Sequence, residues 1–246
     1  MMKQHIRFAV VVSVMVLSVL ACQVSGLTGV RGSGNVFEEV REVSGFTGVA
    51  LAGIGELTIE VGERQSLRIE AEDNLMPYFE TEVRNGVLEI GVEDRINLNP
   101  TRPVRFYLTV KELDKIVLSG SGDIKAPDLE AERFSVTISG SGNVEMGDLS
   151  ADILNVTISG SGNLDIAGGQ VEEQDITISG SGEYQAGDLS SESVEITISG
   201  SGNATIWATD SLDVRISGSG SVNYYGNPRT TFSGSGSGKV NGLGNP

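Results

Sequence analysis

The sequence predicts an all-β protein, a β-solenoid of the single-stranded parallel β-helix type with coils of about 20 residues and an irregular β-rich N-terminal cap. Three observations lead to this prediction: a motif that returns at nearly constant intervals, an alternation of apolar and polar residues within each copy, and a glycine pair at the same place in every copy. One such unit cannot bury its apolar face alone, so the units must stack. A right-handed helix is favoured over a left-handed one.

The repeated motif is Ser-Gly-Ser-Gly, and residues 136–143 and 156–163 are the same octapeptide, VTISGSGN. In a stack, each side chain lies about 4.8 Å from its equivalent in the next coil, and like side chains pack well over like. The copies are separated by 20, 20, 20, 20, 18 and 16 residues, and their first serines are Ser119, Ser139, Ser159, Ser179, Ser199, Ser217 and Ser233.

Side chains alternate between the two faces of a strand, and this period of two holds in every copy. In the second copy one face contains only apolar residues and glycine: Phe134, Val136, Ile138, Gly140, Gly142, Val144 and Met146. We expect this face to line the core. The inward glycines predict a corner where a side chain has no room or needs backbone angles that only glycine adopts easily. A second turn is predicted at Gly147 to Leu149.

The domain boundaries follow from the same patterns. Residues 44–241 are predicted to form one domain, with an irregular cap over 44–115 and regular coils over 116–241. Within the cap, residues 49–59 keep the parity of the unit, and Asn85-Gly86 marks a turn. Residues 22–43 begin rich in glycine and serine and are predicted to be a tether.

Residues 1–21 have the features of an export signal: the basic residues Lys3 and Arg7, an apolar run of about 14 residues and a small residue before a cysteine. The run is shorter than the roughly 20 residues of a membrane-spanning helix. The junction at residues 19–22, VLAC, resembles the lipobox of bacterial lipoproteins, which implies a lipid on Cys22 and attachment to the cell membrane or outer membrane, facing the envelope space or exterior. Ordinary cleavage near Ala21 and a buried thiol are the alternatives.

The composition excludes several classes of protein. The net charge is −16, and removing residues 1–21, which hold Lys3 and Arg7 but no acid, would leave about −18. This charge argues against nucleic acid as a partner and leaves cations or basic partners. The single histidine, His5, lies in the signal, and Cys22 is the single cysteine. Histidine-activated nucleophiles and His/Cys zinc sites are therefore excluded, and no cofactor is predicted.

Carboxylates are the catalytic groups that remain. Parallel β-helices host acid-based polysaccharide lyases and hydrolases, and a pair such as Asp128 and Asp148 could serve one. The predicted turns are short, whereas such enzymes build clefts from long loops, so we favour a role without catalysis. The column formed by Asp128, Asp148 and Asp188 also raises the question of calcium, although the repeat lacks the aspartate of calcium-binding nonapeptides.

Hydroxyl side chains occupy the outward face of the regular coils. The prediction places them in two neighbouring columns, about 7 Å apart along each strand. Such a lattice resembles the Thr-x-Thr faces of ice-binding solenoids and would suit a crystalline glycan. The high strand propensity of threonine and the small size of serine offer a purely structural explanation. The columns are Thr137, Thr157, Thr177 and Thr197, beside Ser139, Ser159, Ser179 and Ser199.

The chain from about residue 44 to 240 resembles a known family, the domain of unknown function 2807, also called the auto-transporter adhesin head GIN domain. The resemblance rests on Gly45-Phe46, on the EDNL segment at Glu72 to Leu75, and on the SGSGDI sequence at 119–124. It implies an exported, often lipid-anchored β-solenoid of bacteria.

Together these observations predict a lipid-anchored β-solenoid of the cell envelope or surface, with a non-catalytic binding, adhesive or structural role. The expected partners are the membrane, through Cys22, and a glycan or surface protein, and self-association is left open. The alternative is a carboxylate-dependent polysaccharide lyase or hydrolase.

Overall fold

The structure, a computed structural model, describes residues 29–246 and consists mainly of β-strands. One 3-10 helix, Met76–Tyr78, precedes β6. The strands before the regular coils are β1 (Val30–Arg31), β2 (Val36–Arg41), β3 (Gly48–Gly53), β4 (Glu56–Val61), β5 (Ser66–Glu72), β6 (Phe79–Arg84), β7 (Val87–Val92), β8 (Leu98–Asn99) and β9 (Arg105–Val110). The strands of the coils are β10 (Lys115–Gly120), β11 (Asp123–Ala126), β12 (Leu129–Gly140), β13 (Asn143–Gly160), β14 (Asn163–Gly180), β15 (Glu183–Gly200), β16 (Asn203–Gly218), β17 (Ser221–Tyr225), β18 (Arg229–Gly236) and β19 (Lys239–Gly244).

These strands stack as the coils of a β-solenoid, which confirms the predicted fold class. Two walls meet at the SGSG corner. In the first wall, Ile138 pairs in parallel with Leu118 of the previous coil and Ile158 of the next. In the second wall, Val144 likewise pairs with Ile124 and Leu164. Each residue of these coils therefore lies over its equivalent, as the faithful copying of the octapeptide predicts.

The glycine corner is crowded and has backbone angles that favour glycine, as predicted, but only its second glycine faces inward: Gly162 is buried, whereas Gly160 is exposed. The first glycine of each pair has a positive φ, 139° at Gly140 and 123° at Gly160, a conformation that favours glycine. A Cβ added to Gly160 would also approach the carbonyl oxygen of Gly140 to less than 3.0 Å. At Gly162 the added Cβ would lie 2.5 Å from the carbonyl oxygen of Gly142. Successive corners therefore stack backbone on backbone.

The second predicted turn, Gly147 to Leu149, differs from the expectation because it does not interrupt the strand. β13 continues through it, and Asp148 and Leu149 still pair with the next coil. The alternation nevertheless shifts there, because the inward residues Met146 and Leu149 are three positions apart instead of two. The chain thus turns a corner while its inter-coil hydrogen bonds continue.

The coils shorten toward the C-terminal end. Ala186 pairs with Ile206 and Ser190 with Trp207, so the corner at 187–189 has no counterpart in the following coil. The loss of these three residues, with one residue gained between Ala208 and Ser211, gives the shorter, 18-residue interval. The Tyr225 ring lies beside Gly187, 3.1 Å from where a Cβ would be, and occupies the space beside the missing corner.

Within the coils of the described chain, the core is a continuous apolar column in which Gln174 and Ser191 are buried polar residues. Phe134, Val136 and Ile138 are fully buried, as the parity predicts, and burial of each such side chain contributes about 1.5 to 3 kcal/mol. Gln174 occupies the column between Leu154 and Val194 and is 2% exposed.

Gln174 is held by its own hydrogen bonds. Its Oε1 accepts a hydrogen bond of 2.6 Å from the Tyr184 hydroxyl, and its Nε2 donates to Ser191 Oγ. Burial raises the pKa of Tyr184, so this hydroxyl keeps its proton and remains a donor.

The cap begins as a true coil. Leu51 pairs with Leu118 and Gly53 with Gly120, which confirms that residues 49–59 follow the pattern of the unit. The order of the layers departs from the chain order, because β7 and β9 stack on the outer side of β3 and β4. Antiparallel strands complete this end: β6 pairs with β7, while β5 pairs with β9 and β2 with β5.

The described part of the predicted tether, 22–43, is not a free tether, and that expectation is corrected here. β1 pairs with β8, and β2 pairs along its length with β5. Glu72 of the EDNL segment explains why this part is ordered. Its carboxylate accepts hydrogen bonds from the backbone N–H groups of Gly34 at 2.6 Å and of Thr101 at 2.8 Å.

Glu72 is 1% exposed. Burial tends to raise the pKa of its carboxyl, but the hydrogen bonds from Thr101, Gly34 and Arg102 outweigh burial, so the pKa of Glu72 lies below its usual value. The ionised carboxylate therefore joins the start of the described chain to the loop after β8.

Candidate hydroxyl face

The predicted hydroxyl columns are present in the folded protein. Thr137, Thr157, Thr177 and Thr197 pair in succession across β12 to β15, and Ser139, Ser159, Ser179 and Ser199 pair beside them. We call these eight residues the hydroxyl face. All four serines are exposed, as is Thr157, and the other threonines are half-buried. The eight hydroxyls thus form a regular array with about 4.8 Å between coils.

The hydroxyls of this face do not pair with one another. Along the serine column, the part of the chain that the structure describes contains one coil-to-coil hydroxyl hydrogen bond, from Ser235 Oγ to Ser217 Oγ at 3.4 Å, outside the eight residues. The asparagines past the corner behave differently, because Asn163 Nδ2 donates to Asn143 Oδ1 at 2.9 Å. The asparagine column stabilises the stack, whereas the hydroxyl face keeps its donors and acceptors for solvent or a ligand.

The limits of the face are set by the residues around it. The threonine column is preceded by Val117 and followed by Arg215. Arg215 forms ion pairs with Glu195 and with Asp213, the latter at 3.3 Å. Asp175 and Glu195 pair with each other in the column beside the threonines. The hydroxyl face is therefore an uncharged strip within an acidic surface.

The serine array is larger than predicted. Ser119 extends the serine column by one coil at one end, and Ser217 and Ser235 extend it by two coils at the other, where Ser235 and not Ser233 lies opposite Ser217. The second serine of each motif, such as Ser141 and Ser161, is exposed at the corner and adds a third line of hydroxyls. This third line of hydroxyls could have been predicted from the sequence, because every SGSG motif contributes two serines.

The aspartates considered for catalysis or calcium binding lie in one column across the coils, but one coil of that column has no carboxylate. Asp128 Oδ1 accepts a hydrogen bond of 2.9 Å from the Asp148 backbone N–H, which gives Asp128 a role in joining two coils. The next position is Gly168, so Asp188 is separated from Asp148 by a coil without a carboxylate. Within residues 29–246 no group of three or more His, Cys, Asp or Glu residues is arranged to hold a metal ion.

Acidic side chains also line an open groove of about 580 Å³ on the outside of the first wall, which includes Glu173, Asp175, Glu195 and Asp213. Arg133 and Arg229 line it as well. Asp128 and Asp148 do not line this groove, so the pair named from the sequence and this acidic groove are separate features.

Cys22 and His5 lie outside the residues that the structure describes, and lipidation of Cys22 stays a prediction. No helix between residues 29 and 246 is long and apolar enough to cross a membrane.

Comparisons with solved structures agree with this fold. A putative adhesin from Bacteroides fragilis NCTC 9343 has a TM-score of 0.81 at 23% identity, covering 87% of this chain and 100% of that chain. A putative lipid binding protein from Parabacteroides distasonis ATCC 8503 has a TM-score of 0.70 at 26% identity, covering 87% of this chain and 99% of that one. A putative adhesin from Parabacteroides merdae ATCC 43184 has a TM-score of 0.67 at 24% identity, with 87% and 99% coverage.

A search of curated proteins found no match. The family model described as "Putative auto-transporter adhesin, head GIN domain" matches residues 45–228. This range begins at Gly45-Phe46, contains the EDNL segment and the SGSGDI sequence at 119–124, and ends before β18, so it includes all three features on which the sequence resemblance rests. The chain belongs to the head GIN domain family.

Proposed function

We propose that this protein is an exported, lipid-anchored β-solenoid that binds a neutral glycan on a surface through its hydroxyl face, without catalysis. The observation that carries the proposal is the uncharged strip of in-register hydroxyls that do not pair with one another. A regular polysaccharide presents repeated hydroxyls, and it can exchange hydrogen bonds with such an array without bringing a charge onto an acidic surface.

The family and its relatives support a surface role. The family description and two of the neighbours name adhesins, which bind surfaces, and a third neighbour is named for lipid binding. The sequence contributes the export signal and the VLAC junction that precede the solenoid. Because β1 begins at Val30, only a short segment follows Cys22 before the fold starts, so a lipid there would hold the cap end of the solenoid close to the membrane.

The glycan proposal predicts the result of a paired substitution. Thr157→Lys together with Thr177→Lys places two long cations in adjacent coils at the centre of the face and leaves the core unchanged. We expect retention of the protein on microcrystalline cellulose and on chitin to fall at least tenfold, as measured by pull-down. Equal retention of the variant and the original protein would show that the face is not the binding surface.

The matched control is Ser150→Lys with Gln170→Lys. These residues are exposed, pair with each other in adjacent coils and lie away from the hydroxyl face. The control makes the same change in charge and should bind as the original protein does. Incubation with the same polysaccharides also tests the enzymatic alternative, because a rise in reducing ends would contradict a role without catalysis.

The anchor has a separate test. Cys22→Ala removes the only thiol that can carry a lipid. We expect this variant to leave the membrane fraction or to remain unprocessed, measured by fractionation and by the mass of the product. Fractionation with membranes at the original level, with normal processing, would contradict lipidation.

A further inference from the structure

At each end of the solenoid, the last strand of each wall is paired on one side only. The first wall begins with β6, which pairs with β7, and ends with β18, which pairs with β16. The second wall begins with β2, which pairs with β5, and ends with β19, which pairs with β17. Within residues 29–246 the outer edges of these four strands have no strand partner. Such edges can pair with strands of another chain.

Each end also leaves a core-facing aromatic residue half exposed. Phe37 of β2 lies opposite Ala71, which is buried, yet Phe37 is 54% exposed. Phe232 of β18 lies opposite Val214, which is buried, yet Phe232 is 49% exposed. In the middle coils, the residues at these inward positions are covered by the next coil. At the ends a covering layer is missing, so each ring presents apolar surface to solvent.

The two ends differ in charge. The last 33 residues, 214–246, contain Arg215, Arg229 and Lys239 and no acidic residue, although the chain as a whole has a net charge of −16. At the cap end, residues 36–42 and 79–84 contain five acidic residues and two arginines. Contact between unlike ends therefore brings opposite charges together, while contact between like ends brings like charges together.

We propose that copies of this protein associate end to end, with the last coil of one copy on the cap of the next. A simple translation along the axis brings β19 to β2 of the next copy in the second wall. In the first wall this translation leaves one strand spacing open between β18 and β6, because β2 adds a layer beyond β5 and β6 has no such layer beyond it. The strand directions make the pairing of β19 with β2 parallel, and parallel ladders are common in sheets. β19 and β2 each have six residues, so they can pair along their whole length.

The expected association is weak. The end strands span about 20 to 26 Å, and a single layer of contact buries less than a standard protein interface. The interface is heterologous, because different surfaces of the two copies meet, so it can continue into a chain of copies. Stacking would pair the open edges of β19 and β2 and bring Phe37 and Phe232 into the contact between the copies.

Complementation between blocked ends tests this arrangement. The protein is produced from residue 22 with Cys22→Ser, which keeps every residue that the structure describes, and its mass is measured by sedimentation over a concentration series. We expect the mass to rise with concentration beyond two chains. Phe232→Lys blocks the C-terminal end and Phe37→Lys blocks the cap end, so each variant alone should remain a single chain. An equal mixture should form dimers and stop there, doubling the mass.

Other outcomes would overturn the proposal. Dimers of Phe37→Lys alone would mean that the C-terminal ends pair with each other, and a single-chain mass for the unchanged protein at all concentrations would mean that the ends do not associate. Val61→Lys is the matched control, because Val61 is 56% exposed but lies on β4 between β9 and β11, away from both ends. Lys239→Glu provides a second C-terminal variant with no core-facing change. Thr157→Lys with Thr177→Lys should associate normally, which separates this test from that of the glycan face.

Discussion

Gly160→Val should lower the free energy of unfolding by about 2 to 6 kcal/mol. The backbone at Gly160 has a φ of 123°, and holding a non-glycine residue in such a sparsely populated region costs about 1 to 3 kcal/mol. The new Cβ would also press on the carbonyl oxygen of Gly140, which accepts a hydrogen bond of 2.9 Å from the Ser161 backbone N–H of the next coil. Overpacking of this kind costs about a further 1 to 3 kcal/mol.

The neighbouring residue provides the control. Ser161 is exposed at the same corner, so Ser161→Val should change the free energy of unfolding by no more than about 0.5 kcal/mol. Urea denaturation of both variants measures the difference. Equal losses of stability would contradict the crowding and the glycine-specific backbone conformation assigned to Gly160.

The regular coils were predictable because one rule repeats in them. The parity of Val136, Ile138 and Gly140 is the same in each copy, and in-register stacking follows once like residues lie over like. The Thr and Ser columns of the hydroxyl face required no further information. Their hydrogen bonding was not predictable, because stacked hydroxyls can pair with one another or remain open, and only side-chain orientations decide between these states.

The cap was less predictable because its layers do not follow the order of the chain. β10 stacks on β3, with Lys115 opposite Gly48, which is 67 residues earlier in the sequence. The alternation of apolar and polar residues within a strand does not show which distant strand it will pair with. Glu72 shows the same difficulty: EDNL was visible as a motif, but its partners Gly34 and Thr101 are distant in sequence. The predicted tether was too long for this reason.

Tyr184→Phe should lower the free energy of unfolding by about 1 to 3 kcal/mol. The change leaves Gln174 Oε1 in the core without its hydrogen bond from the Tyr184 hydroxyl, and an unpaired buried polar atom carries its full desolvation cost. Tyr107→Phe is the control, because Tyr107 is half-buried and its ring, which lies 3.9 Å from the Arg68 guanidinium, is retained. Urea denaturation should show little loss for the control. A Tyr184→Phe protein as stable as the original would mean that the network adds nothing.

Removing the whole network should restore much of the stability. Gln174→Leu, Tyr184→Phe and Ser191→Ala together leave no unpaired polar side chain, and the new residues resemble those in adjacent coils, where Leu154, Leu164 and Ala208 occupy the same columns. Replacing all partners by apolar groups of similar shape is often close to neutral. The triple variant should therefore be more stable than Tyr184→Phe alone, and the non-additivity measures the coupling within the network.

A network of no net benefit to stability can still select the correct register. Two consecutive coils carry the same octapeptide, and the coils after them keep its Ile and Gly positions, so a slip by one whole coil would keep Ile over Ile and Gly over Gly. Such a slip would separate Gln174 from Tyr184 and Ser191 and leave polar atoms unpaired in the core, which disfavours the wrong register. We therefore expect the triple variant to refold from urea with a lower yield of native protein and more aggregate than the original, even where its stability is similar. An unchanged refolding yield would leave the network without a role in register.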